Sequence, residues 1–222
     1  MNKVAAVALV SLTLSGLATD ADAQAETRPE MVNFLGAGAA WSGQSACMQR
    51  RVFVDIVELV DIVPGAPPPG RLKLVQASVF DIDTCANQFL LAADGSSPLP
   101  PNAGIDPALT TASVHATVEL NCGPFSPPCS PFSVDIDLTW TGIGAINRMA
   151  RADHSICPAF FVVTAHDAEA TRSATLTGDV SSGGTSLVAG LTLDESFMED
   201  LHLGRTETIL PPLPGPFHPC HE

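Results

Sequence analysis

Residues 112–141 read "ASVHATVELNCGPFSPPCSPFSVDIDLTWT", two alternating runs on either side of a loop crowded with proline, glycine and two cysteines. From Ala112 to Leu120 the even positions are Ala112, Val114, Ala116, Val118 and Leu120, and the odd ones Ser113, His115, Thr117 and Glu119. From Phe132 to Trp140 the even positions are Phe132, Val134, Ile136, Leu138 and Trp140, against Ser133, Asp135, Asp137 and Thr139. A period of two puts one set on a covered face and the other in water, which is the pattern of a half-buried strand. Two such strands of matching parity, joined by a turn-forming loop, make an antiparallel hairpin. Directly opposed residues share a face, so their numbers sum to an even value. Setting Leu120 against Phe132 places His115 opposite Asp137 and Thr117 opposite Asp135. Cys122 and Cys129 sum to an odd value, so they are expected to staple the loop beyond the ladder's end.

Working outward, the same short-strand grammar recurs. "TRSATLTGDV" (Thr171 to Val180) alternates, and "TSLVAGLTL" (Thr185 to Leu193) follows a Ser-Ser-Gly-Gly turn, so the pair reads as a second hairpin. "AFFVV" (Ala159 to Val163) is a continuous apolar run, as in a strand covered on both faces. "VFVDIVELVDIV" (Val52 to Val63) carries a helical stripe, yet its β-branched residues favour a strand. Arg71 to Asp83 is apolar with a change of phase near Gln76, which suggests a bulge. One short helix is expected over "DESFMEDLHLG" (Asp194 to Gly204), from an N-capping Asp, Phe197, Met198 and Leu201 at helical offsets, and a closing Gly.

The expected fold class is therefore all-β: an antiparallel β-sandwich of about eight or nine short, disulfide-stapled strands, with a β-barrel as the alternative. Its parts are a secretory signal peptide over residues 1–23, a partly extended segment over 24–46, one sandwich domain over 47–210 and a proline-rich tail over 211–222.

The signal peptide rests on Lys3, the apolar run Val4 to Ala18 and the small-x-small pattern at Ala21 and Ala23. No later stretch is long and apolar enough to suggest a membrane-spanning helix. The expected location is secreted or periplasmic, through a bacterial-type export signal. With 24 acidic and 10 basic residues the chain carries a net charge of −14, which repels phosphate backbones, and no nucleic-acid partner is expected.

Six cysteines in an exported chain read most simply as three disulfides. Cys122 with Cys129 is the pair that the intervening turn formers bring together, and Cys85 with Cys157 and Cys47 with Cys220 complete the expected set. Spacings of the CxxC type with matching histidines are absent, which disfavours a zinc site.

Catalytic signatures are missing. There is no GxSxG elbow, HExxH or nucleotide-binding glycine loop. Three weaker constellations remain. Asp81 with Asp83, and Asp135 with Asp137, put carboxylates at i and i+2 on one strand face, where oxygen ligands suit calcium. His218 and His221 in the tail have the chemistry for copper or zinc. His166, Asp167 and Glu169 offer acid–base groups. Each has a plainer reading, as a solvated acidic face, a tethered tail or a polar turn, and the plainer reading is preferred. Trp41 is the one candidate sugar platform, since Trp140 falls on a covered parity.

The functional expectation is an exported structural or binding module, with no cofactor, for an extracytoplasmic ligand or protein. Two alternatives stand beside it: an exported enzyme using His166, Asp167 or His115, and a calcium- or copper-binding secreted protein.

Overall fold

The structure, a computed structural model, describes residues 26–62, 71–124, 127–157 and 161–209. Residues 1–25 and the tail, with His218 and His221, lie outside the described residues. In chain order the strands are β1 (Glu26–Ser45), β2 (Met48–Ile62), β3 (Arg71–Asp83), β4 (Gln88–Pro98), β5 (Gly104–Ile105) and β6 (Thr111–Cys122). They continue as β7 (Phe132–Gly142), β8 (Asn147–Cys157), β9 (Phe161–Ser182), β10 (Thr185–Ser186) and β11 (Thr192–Ile209). Every ladder is antiparallel.

One layer runs β4–β3–β2–β1–β11–β9–β8 and the other β5–β6–β7–β9–β10. Strand β9, 22 residues long, serves both: Phe161 to Ser173 pair with β11, and Ala174 to Ser181 pair with β7. The circuit of ladders closes through β4 and β6, but only Ala93 with Cys122 and Asp94 with Asn121 make that link, so the sheet is not a clean barrel.

The opening hairpin has the expected register, with Leu120 opposite Phe132, His115 opposite Asp137 and Thr117 opposite Asp135. Its apolar parity is inside: Val118, Leu120, Val134, Ile136 and Trp140 are wholly buried. From the other layer Val52, Val54, Ile56, Val75, Val79 and Met198 meet them in one core. Each such side chain contributes roughly 1.5–3 kcal/mol by leaving water. The inner face of β1 is narrow, Ala37 and Ala39 followed by Trp41, which makes room for Trp140 from the opposite layer.

Several expectations are corrected. Among the described residues there are eleven strands, and β1, β9 and β11 are long, at 20, 22 and 18 residues. No helix forms over Asp194–Gly204, which lies within β11, and none occurs among the described residues. Phe197 and Met198 break the period of two because both faces are covered there: Met198 enters the core, while Phe197 lies over Gly38 outside. Burial in β3 alternates without interruption through Val75, Ala77 and Val79, and the register shift falls at Asp81/Ile82 instead of Gln76. The second hairpin is short: β9 turns at Gly183–Gly184 into the two-residue β10, and Leu187 to Leu191 form turns before β11.

Cys122 and Cys129 are bonded, with Cα atoms 6.0 Å apart. Cys85 is bonded to Cys47, with Cα atoms 5.2 Å apart, which replaces both the Cys85–Cys157 and the Cys47–Cys220 pairings. The cause is register: Met48 lies opposite Asp83, so the β1–β2 turn and the β3–β4 turn sit side by side. The side chain of Cys157 and the whole of Cys220 lie outside the described residues.

Candidate ligand-binding cleft

The β8–β9 ladder sets Arg148 opposite Ala170 and Ala150 opposite Ala168. On the far side of β9, the β11 ladder sets Asp200 opposite Ala170 and His202 opposite Ala168, and β1 adds Asn33 opposite His202. Two rows therefore cross the sheet, Arg148–Ala170–Asp200 and Ala150–Ala168–His202–Asn33. Strand spacing of about 4.8 Å puts the backbones of Arg148 and Asp200 about 10 Å apart, with only methyl groups between them. Pro107, Leu109 and Ile146 close one side, and the resulting cleft is about 360 Å³. That volume is at the small end of ordinary ligand sites.

His202 is held at both ring nitrogens. Its Nδ1 donates to Asn33 Oδ1 at 2.6 Å, and its Nε2 lies 3.1 Å from the Asp200 carboxylate. A ring engaged on both sides is a positioned polar wall. Arg148 stands exposed on the opposite wall, so the cleft offers a cation on one side, an acid–imidazole pair on the other and an apolar floor between.

The residues singled out from sequence are dispersed. Asp81 takes two bonds from Arg50, Nε to Oδ1 at 2.7 Å and Nη2 to Oδ2 at 2.8 Å, and this raises the Arg50 pKa. Asp83 Oδ1 accepts from the backbone N–H groups of Cys85 and Ala86, so it shapes the β3–β4 turn. It lies close to the sulfurs of Cys47 and Cys85, but sulfurs joined in a disulfide are not thiolate ligands. Asp135 accepts from Thr117 Oγ1 at 2.7 Å. Asp137 lies 3.9 Å from His115 Nδ1 with both groups well exposed, and it faces Asp179 across the β7–β9 ladder. The two aspartate pairs belong to different layers and do not converge.

His166 and Asp167 are adjacent in β9 and so point to opposite faces, and only Glu169 among the three candidates touches the cleft. Trp41 is 7% exposed, which removes it as a sugar platform. Asp200 and His202 went unnoticed because a helix was expected there. The signal was present: Asp200 and His202 alternate with Leu201 and Leu203, a period of two.

A second polar feature lies on the outer face. Asp55 Oδ1 would come within 2.7 Å of a Cβ at Gly38, and Glu199 Oε1 within 2.8 Å of one at Gly36, so glycine in β1 leaves room for both carboxyls. Burial pushes Asp55 up to about 6. Glu199 is pushed up to about 7, by burial first and then by the charges of Glu169, Asp55 and Glu195.

No family model and no curated protein matches the chain. Among solved structures, an acetoacetate decarboxylase-like enzyme from Sphingomonas wittichii RW1 aligns over 84% of this chain and 94% of its own, at 11% identity and a TM-score of 0.26. The enduracididine biosynthesis enzyme MppR, complexed with the condensation product of pyruvate and imidazole 4-carboxaldehyde, aligns over 82% and 87%, at 8% identity and a TM-score of 0.16. At these scores neither superposition carries fold or chemistry over to this chain.

Proposed function

We propose that the chain is an exported binding module whose cleft between β8, β9 and β11 takes a small ligand with an apolar body and an anionic group. The observation that carries this reading is the alanine floor between Arg148 and the Asn33-anchored His202–Asp200 pair. Small side chains leave the space, apolar contact gives affinity, and the polar walls give orientation. In a chain of net charge −14, an arginine at the rim is a local attractor for an anion that the rest of the surface repels. Export is supported by the leader pattern at Lys3 to Ala23, with which the two disulfides agree. No helix among the described residues is long and apolar enough to cross a membrane.

The test uses anilinonaphthalene sulfonate, an apolar anionic fluorophore, as a probe of the folded protein. Saturable binding is expected, abolished by Ala168→Phe, which fills the floor, and weakened about tenfold by Arg148→Ala, a loss of about 1.4 kcal/mol. Unchanged binding by a folded Ala168→Phe variant overturns the reading.

A further inference from the structure

We propose that the outer face of the long sheet, over β3, β2, β1 and β11, docks a cationic amphipathic segment of another protein. Register builds the face. Leu72, Leu59, Phe34 and Leu201 form one row across the four strands. Leu74 and Val57 lie on the row to one side, and Val32 and Leu203 on the row to the other. Alternation sends all of them away from the core, which takes Ala37, Val54, Ile56, Val75 and Met198 from the same strands. Leu72 and Leu203 are exposed and the others half-buried, whereas a sheet face in contact with water ordinarily carries polar residues. With strands about 4.8 Å apart and rows about 7 Å apart, the field measures about 14 Å each way, enough for one face of a helix. Asp200 and His202 point to the other side of β11, so this surface is separate from the cleft.

Charge decides the occupant. Glu199 lies across Gly36 and Asp55 across Gly38, so the field ends on two carboxyls, with the Phe34 ring against the same Gly36. Among the described residues neither carboxyl has a basic side chain at ion-pair distance. Glu169 and Asp167 border the field along β9, opposite Leu201 and Leu203. Burial, and for Glu199 the neighbouring acids, oppose the charged forms. An ammonium or guanidinium group from a partner stabilises both carboxylates and meets the Phe34 ring beside them. This chain does not supply that cation from its proline-rich segments, since residues 63–70 and 210–222 contain no lysine or arginine. A second copy docked face to face sets acid against acid. An anionic membrane surface is repelled for the same reason.

The test is fluorescence anisotropy of a labelled amphipathic peptide of leucine and lysine with the folded protein, beside a leucine–glutamate peptide of the same pattern. Expected is saturable binding of the lysine peptide alone. Asp55→Asn with Glu199→Gln should weaken it about tenfold, and Leu72→Ser with Leu203→Ser about fivefold. Neither pair threatens folding, since the first removes unpaired charge and the second lies at exposed positions. Asp135→Asn with Asp137→Asn, on the second layer, removes the same net charge and should change binding less than about twofold. Equal losses from the two charge-removing pairs overturn the inference, because net charge alone then does the attracting. So does a lysine peptide that never saturates, or a glutamate peptide that binds as well. A dimer in sedimentation that Leu72→Asp abolishes makes a second copy the occupant and overturns it too.

Discussion

The indole Nε1 of Trp140 donates to the carbonyl oxygen of Gly38 at 3.0 Å, tying β7 to β1 through the core across 102 residues of sequence. Trp140→Phe removes that bond and leaves a small void, so unfolding free energy should fall by about 1–3 kcal/mol. Urea denaturation checks it. The chain has no tyrosine and two tryptophans, both in the core, so the remaining Trp41 still reports the transition.

Removing the two described disulfides should cost unequal amounts. The bridge from Cys47 to Cys85 spans 38 residues and that from Cys122 to Cys129 spans 7. On the chain-entropy account their loss costs about 4 and about 2.5 kcal/mol respectively. Paired Cys→Ser variants compared by chemical denaturation test the ranking, and the reverse order refutes it.

Asp55 and Glu199 make stability depend on pH with a definite sign. Their folded pKa values, about 6 and about 7, lie above the ordinary 3.8 and 4.5, so folding favours the protonated forms. Their contribution is fully present below the ordinary values, is lost as pH rises through the folded ones, and is constant above. Asp55→Asn should therefore stabilise at about pH 8 by roughly 2 kcal/mol, and Glu199→Gln, being more open to water, by roughly 1 kcal/mol. Both gains should vanish near pH 4. Denaturation midpoints measured across that range decide it, and a gain that grows on acidification contradicts the assignment.

Gly178 lies in the part of β9 that pairs with β7, opposite Leu138. Its φ is +115°, and a Cβ there would lie 1.9 Å from the carbonyl oxygen of Asp137. Gly178→Ala should cost about 3 kcal/mol or more. Hydrogen exchange should show the β7 and β9 amides losing protection before those of β2 and β3.

What the sequence made legible follows from coverage. The β6–β7 hairpin has one wet face, so polar and apolar residues alternate cleanly and even the register of His115 against Asp137 can be counted out. In β11 Phe197 and Met198 are both covered, alternation lapses, and a helix offered a better local match. Strand β1 was harder still: Gly36 to Ala40 are all small, because carboxyls lie over one face and an indole under the other, and small residues carry no period. The Cys47–Cys85 bridge and the Arg148–Asp200 cleft depend on which turns and strands become neighbours, and no local pattern encodes that.

The place of β1 has a consequence for how the molecule is made. Its 20 residues ladder with β2 on one side and with β11 on the other, as far as Glu26 opposite Ile209. Strand β2 follows at once in synthesis, whereas β11 emerges some 150 residues later, so one long edge of β1 waits unpaired for most of the chain's appearance. Such distant pairing is slow to form, and an open edge of that length recruits other nascent copies. Refolding yield should therefore drop steeply with protein concentration, and a holding chaperone for the newly made chain would act mainly on β1.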